Sequence, residues 1–186
     1  MVLAPVLISF FSLFTLLGGV FVVCILLLLI GEGLFHRPVT AAPLRMLARW
    51  GLLFLLLVAG LASLGSLLFS EVIGWVPCKL CWFQRIFMYP QVPLLALALL
   101  RRDRRIVPSI LLLCLIGMSF SVTQYVDQVR AIITPDAAVN CGDPVNPCAA
   151  TPIFVFGYIT VPMMALTAFA MNALTALVML RRTVRS

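Results

Sequence analysis

Long apolar runs fill most of the chain and are separated by short clusters of charge, with none of the two-residue alternation that marks half-buried strands. Five stretches, at about residues 6–30, 50–70, 82–100, 106–126 and 153–180, reach the roughly 20 apolar residues a helix needs to cross a hydrocarbon core about 30 Å thick. Backbone amides in lipid must pair within their own segment, so these runs predict an all-α, polytopic transmembrane helical bundle and not a β-barrel. The first run has no basic residues before it, is too long for a signal peptide and shows no small-residue cleavage site before Glu32, so it is expected to remain as a helix.

Composition agrees with lipid as the solvent. Of 186 residues, 63% are hydrophobic, against roughly 45–50% in soluble domains, and the mean hydropathy is +1.18. The net charge of +7 raises the question of nucleic acid, but the basic residues flank apolar segments and do not interleave with aromatics on a soluble face, so no nucleic-acid partner is expected. Their placement reads as a topology signal. Arg37, Arg45 and Arg49 sit in the first loop, Arg101, Arg102, Arg104 and Arg105 in the third, and Arg181, Arg182 and Arg185 in the tail, which predicts these regions to be cytoplasmic. The loop from Glu71 to Cys81 and the acidic loop from Asp127 to Thr151 then face outward, and five spans with an outside N-terminus satisfy every loop.

Six cysteines divide by position. Cys24 and Cys114 lie inside apolar spans, where free cysteine behaves as a small hydrophobe, and packing accounts for both. Cys78, Cys81, Cys141 and Cys148 all fall on the two loops assigned to the outside, where disulfides are permitted. Cys78 and Cys81 form a Cys-x-x-Cys pair, and Cys141 and Cys148 enclose a run rich in turn formers, Gly-Asp-Pro-Val-Asn-Pro. Three readings are open from spacing and placement: redox-active pairs, structural disulfides, and a four-cysteine zinc site. Zinc is disfavoured by the wide spacing of the second pair, so no metal is expected.

The surroundings of the first pair favour redox chemistry. Trp75-Val76-Pro77-Cys78-Lys79-Leu80-Cys81-Trp82-Phe83-Gln84-Arg85 places it where a loop becomes a helix, and helix N-termini favour anions such as a thiolate. Arg85, four residues after Cys81, lies on the same helical face, where its guanidinium reaches toward a thiolate or a ligand oxygen; its plain alternative is snorkelling to the interface. Trp75, Trp82 and Phe83 read either as an interfacial aromatic belt or as the wall of a flat ligand's site.

The run from Pro77 to Pro90, Pro-Cys-Lys-Leu-Cys-Trp-Phe-Gln-Arg-Ile-Phe-Met-Tyr-Pro, with a second cysteine pair in the next outer loop, resembles the signature of the DsbB/BdbC disulfide-bond formation proteins. The resemblance covers approximately residues 49–186. It implies a four-helix thiol oxidase domain over 49–186, preceded by an extra N-terminal transmembrane helix and cytoplasmic loop over 1–48. It further implies a bacterial cytoplasmic-membrane enzyme whose partners are a DsbA-like thioredoxin-fold protein and a membrane quinone, ubiquinone or menaquinone. By the same resemblance, Cys78 and Cys81 exchange electrons with quinone, Cys81 is the nearer sulfur, and Arg85 and Trp82 belong to the quinone site. Cys141 is the cysteine attacked by the partner and Cys148 its resolving thiol. The chain departs from the usual pattern in its extra span and in the close spacing of the second pair. A vitamin K epoxide reductase-type enzyme is the rival within this chemistry, but there the loop pair precedes the Cys-x-x-Cys. A non-catalytic membrane subunit stabilised by zinc or disulfides is the rival outside it.

Overall fold

The computed structural model describes residues 3–35, 41–133 and 153–184. Among the described residues no strand forms, and a single antiparallel bridge joins Val155 to Ile159. The helices are α1 (Leu3–Phe35), α2 (Ala41–Leu67, running on into a π-helical turn over Leu68–Val72), α3 (Lys79–Met88), α4 (Gln91–Arg101), α5 (Val107–Ile133) and α6 (Val161–Val184). With α3 and α4 taken as one unit, five helical units among the described residues are long and apolar enough to cross a membrane, which is the all-α architecture that the apolar pattern predicts.

The second helix starts at Ala41, ahead of its apolar run and with Arg45 and Arg49 inside it, and three further boundaries differ from expectation, each for a local reason. The third span is interrupted between α3 and α4, where Pro90 has no N–H to offer the helix ladder. At the break, the side-chain amide of Gln91 donates to the Phe87 carbonyl at 2.9 Å. The fourth helix continues past residue 126 to Ile133, since a helix ladder does not have to stop at the end of the apolar run. The fifth begins at Val161 and not at residue 153: the apolar segment before it turns back on itself, with Phe156 and Gly157 both at positive φ.

Helix α6 is the most enclosed element and packs against α1, α2 and α5. Phe169 is fully buried, and a side chain at Gly117 of α5 would collide with its ring. Lipid tails are as apolar as leucine, so burial of leucine does little to hold such a bundle, and close packing with interhelical hydrogen bonds takes over. Leu17, Leu27, Leu57, Leu64, Leu97 and Leu112 accordingly face outward. Inside, Gln91 Oε1 accepts from Asn172 Nδ2 at 3.2 Å and from the Cys114 thiol at 3.5 Å, while Asn172 Nδ2 also reaches the Leu55 carbonyl at 3.4 Å. One polar knot thereby joins α2, α4, α5 and α6.

Candidate active site

The loop from the π-helical turn to Cys78 delivers the first cysteine pair to the start of α3. Gly74, at φ 81°, allows the chain to reverse, and the Trp75 N–H donates to the Phe69 carbonyl at 3.1 Å. Cys78 is the N-cap of α3: its backbone is extended and its sulfur accepts from the Cys81 N–H at 3.4 Å. A Cys-x-x-Cys pair at a helix start puts both side chains on one turn, and the two thiol sulfurs lie 3.0 Å apart.

A glutamine pair that the sequence reading did not single out completes this end of the site. Gln124 Nε2 of α5 points between the sulfurs, 3.2 Å from Cys78 Sγ and 3.3 Å from Cys81 Sγ. Gln84 Nε2, one turn into α3, donates to Gln124 Oε1 at 2.7 Å and fixes which face of that amide meets the sulfurs. Both glutamines are buried. Their presence in apolar spans was the available signal, since an amide within a membrane helix needs a partner; their pairing across 40 positions was not readable.

Arg85 is held one turn further along. Its Nε donates to Ser66 Oγ at 2.9 Å and its Nη2 to the Ser66 carbonyl at 3.0 Å, next to the switch from α- to π-helical winding in α2. Tyr89 also donates to Ser66 Oγ, at 3.2 Å. The guanidinium carbon sits 5.3 Å from the centre of the Trp82 ring and 6.0 Å from that of Tyr89. Ser66 takes two of the five guanidinium N–H groups. Among the described residues the others meet no acceptor.

Cys78, Cys81, Gln84, Arg85 and Gln124 share a cavity of about 280 Å³ with Trp75, Phe69, Met88, Tyr89 and Phe169. Its walls are mostly apolar, with Thr15, Ser70, Gln128 and Thr167 adding polar side chains to those of the cysteine end. Trp82 is not among the lining residues; it is more than half exposed and covers Arg85 from outside, while Trp75 supplies the aromatic wall. Phe83 likewise turns away and stacks on Phe120, with ring centres 4.9 Å apart. Phe11, Phe14 and Thr15 of α1 join the lining, a contribution that nothing in the sequence pattern indicated. Cys141 and Cys148 lie outside the described residues, as do Arg37 and His36. Among the described residues no group of three or more His, Cys, Asp or Glu is placed to hold a metal ion.

The cavity fits a quinone head group on its own chemistry. A flat ring needs apolar walls, and its carbonyl oxygens need donors, which the unshared N–H groups of Arg85 provide beside a dithiol.

The family model described as disulfide bond formation protein DsbB matches residues 48–179. A probable disulfide formation protein C of Halalkalibacterium halodurans is 42% identical over 125 residues, 67% of this chain and 89% of that protein. Disulfide bond formation protein C of Bacillus subtilis is 40% identical over 112 residues, covering 60% and 79% of the two chains. A probable disulfide formation protein of Coxiella burnetii is 39% identical over 125 residues, 67% of this chain and 83% of that protein. No solved structure matches the chain.

Proposed function

This chain belongs to the DsbB family of disulfide bond formation proteins, multi-pass membrane proteins that serve disulfide formation, and from that premise we propose that it is a thiol:quinone oxidoreductase. It takes electrons from a DsbA-like thioredoxin-fold partner outside the cytoplasm and passes them through two cysteine pairs to ubiquinone or menaquinone. The observation that carries this reading is the Cys78–Cys81 pair on the wall of an apolar cavity shared with Arg85. Residues 49–186 are the thiol oxidase unit, and residues 1–48 add helix α1, the connection after it and the first turns of α2. The ion pair between Glu32 at the end of α1 and Arg182 at the end of α6, 2.9 Å long, supports parallel α1 and α6. An outside N-terminus with a cytoplasmic tail requires that arrangement.

Thiol exchange proceeds by attack of a thiolate on a disulfide sulfur through a mixed disulfide. A partner thiolate attacks Cys141 and releases Cys148. The partner's second thiolate then displaces Cys141, so the partner leaves oxidised and the loop pair holds two electrons. Attack of the loop thiolates on the Cys78–Cys81 disulfide moves those electrons to the first pair and restores the loop disulfide. Within the cavity, Gln124 donates to both sulfurs as negative charge develops on them, and Gln84 keeps that amide oriented. Arg85, anchored by Ser66, presents its free N–H groups, and Trp82 shields the guanidinium from lipid. A bound quinone would supply the two-electron, two-proton acceptor, and Cys81 would be the sulfur that passes the electrons on.

The test is a quinone-reduction assay beside metal analysis of the same preparation. One quinone consumed per partner dithiol oxidised, without bound zinc, is the expected result. Stoichiometric zinc in protein that reduces no quinone would make this a metal-stabilised subunit.

A further inference from the structure

Helix α1 lies wholly outside the residues that the DsbB family model matches, yet it forms one wall of the cavity. Phe11, Phe14 and Thr15 stand at helical spacings of three and four, so they share one face. Thr15 directs its hydroxyl proton back to the Phe11 carbonyl at 2.8 Å, so its one donor is spent within the helix.

The face is seated at three levels. At the cavity, the Phe11 ring lies 5.4 Å from Phe69, whose ring stacks 5.4 Å from Trp75, three residues before Cys78. Phe11 is 7% exposed, whereas its neighbours Phe10 and Leu13 are more than half exposed. Gly65 of α2 makes room for it, since a Cβ there would sit 2.5 Å from the ring. Midway, a Cβ at Gly18 would lie 2.7 Å from Met171 and 2.9 Å from Thr167 of α6. At the far end the Glu32–Arg182 ion pair closes the contact. A helix retained only as an anchor needs no glycine-seated aromatic beside a redox pair.

Resting on the quinone reading of the cavity, we infer that α1 is part of the acceptor site: its Phe11, Phe14 and Thr15 face closes the cavity against lipid, and Phe11 is a specificity-determining residue that sets how tightly the quinone ring is held. The cysteine pair, the glutamines and Arg85 come from α3 and α5, so the chemistry stays with the four-helix unit and the retention of the ring depends on the added helix.

Photolabelling of the full chain in lipid nanodiscs with an azido-substituted short-chain quinone, followed by mass spectrometry of the labelled peptides, separates this inference from its premise. Label in both the 8–18 segment and the segment containing Arg85 is the expected result. Label near Arg85 with none in α1 overturns the inference and leaves the quinone reading standing; label in neither segment overturns both. Equilibrium quinone binding adds a second readout. Phe11→Ala should weaken binding about tenfold and raise KM with kcat nearly unchanged, Phe11→Leu should recover most of the loss, and lipid-facing Leu17→Ala should have no effect. Equal binding by Phe11→Ala and the unaltered chain would contradict the proposal even if both proteins turn over.

Discussion

Two clusters in this bundle are built from the same parts. At the start of α3, Cys78 and Cys81 meet the amides of Gln124 and Gln84. In the middle of the bundle, Cys114 donates to the Gln91 amide oxygen, which also accepts from Asn172. Both are buried and both join helices. The first lies on a cavity, at a helix N-terminus, with a second sulfur 3.0 Å away and an arginine one turn on; the second is enclosed in the core and contains a single thiol. On the proposed function the first is a redox centre and the second is not, so a thiol beside an amide does not suffice to make one in lipid. Access, a second sulfur and donors arranged for developing charge make the difference.

The sharpest way to break the comparison is to remove one sulfur from each cluster. Cys81→Ala should lower quinone-linked oxidation of the partner dithiol by about a thousandfold or more, since no disulfide can form there. Cys114→Ala should stay within about twofold of the unaltered protein. Steady-state partner oxidation with limiting quinone measures both, and comparable losses would erase the distinction.

The amides come next. Gln124→Leu deprives both sulfurs of their shared donor, and loss of a hydrogen bond to a charged group, about 1.5–3 kcal/mol, corresponds to a rate about ten- to a hundredfold slower. Asn172→Leu should instead lower thermal stability by only about 1 kcal/mol, the scale of interhelical hydrogen bonds in membranes, with turnover unchanged. Single-turnover kinetics and thermal unfolding in detergent separate the two effects.

Arg85→Lys has the smallest expected consequence among the changes at the cavity. It keeps the charge but loses the planar fork that spans the Ser66 hydroxyl and carbonyl, so the quinone KM should rise about fivefold. An unchanged KM and turnover would reduce Arg85 to an interfacial anchor.

The two clusters also mark how far the sequence could be read. Apolar length is a local property, so the spans were legible, and so was the placing of Cys78 and Cys81 at a helix start, where the apolar run of the third span begins. The break at Pro90 was not, because membrane helices tolerate proline when neighbouring side chains satisfy backbone groups at the break, as Gln91 does for the Phe87 carbonyl. The turn over 153–160 was hidden by its own apolar residues, which continue the pattern of the helix that follows. The meeting of Gln84 with Gln124, of Arg85 with Ser66, and of Phe11 with Phe69 arises from packing between segments far apart in the chain, which no local pattern encodes. Trp82 shows the converse: its position beside Cys81 was plain, but only the packed bundle turns it outward over Arg85.

The central claim is that the cysteines of α3, and not those of the acidic loop, hand electrons to quinone. It is tested most directly by one anaerobic single-turnover measurement on two reduced proteins, Cys141→Ala/Cys148→Ala and Cys78→Ala/Cys81→Ala, each mixed with excess quinone. The account predicts that the first consumes one quinone as two thiols are lost at Cys78 and Cys81, and that the second consumes none. Quinone reduction by the second protein with loss of the Cys141 and Cys148 thiols, and none by the first, would contradict it.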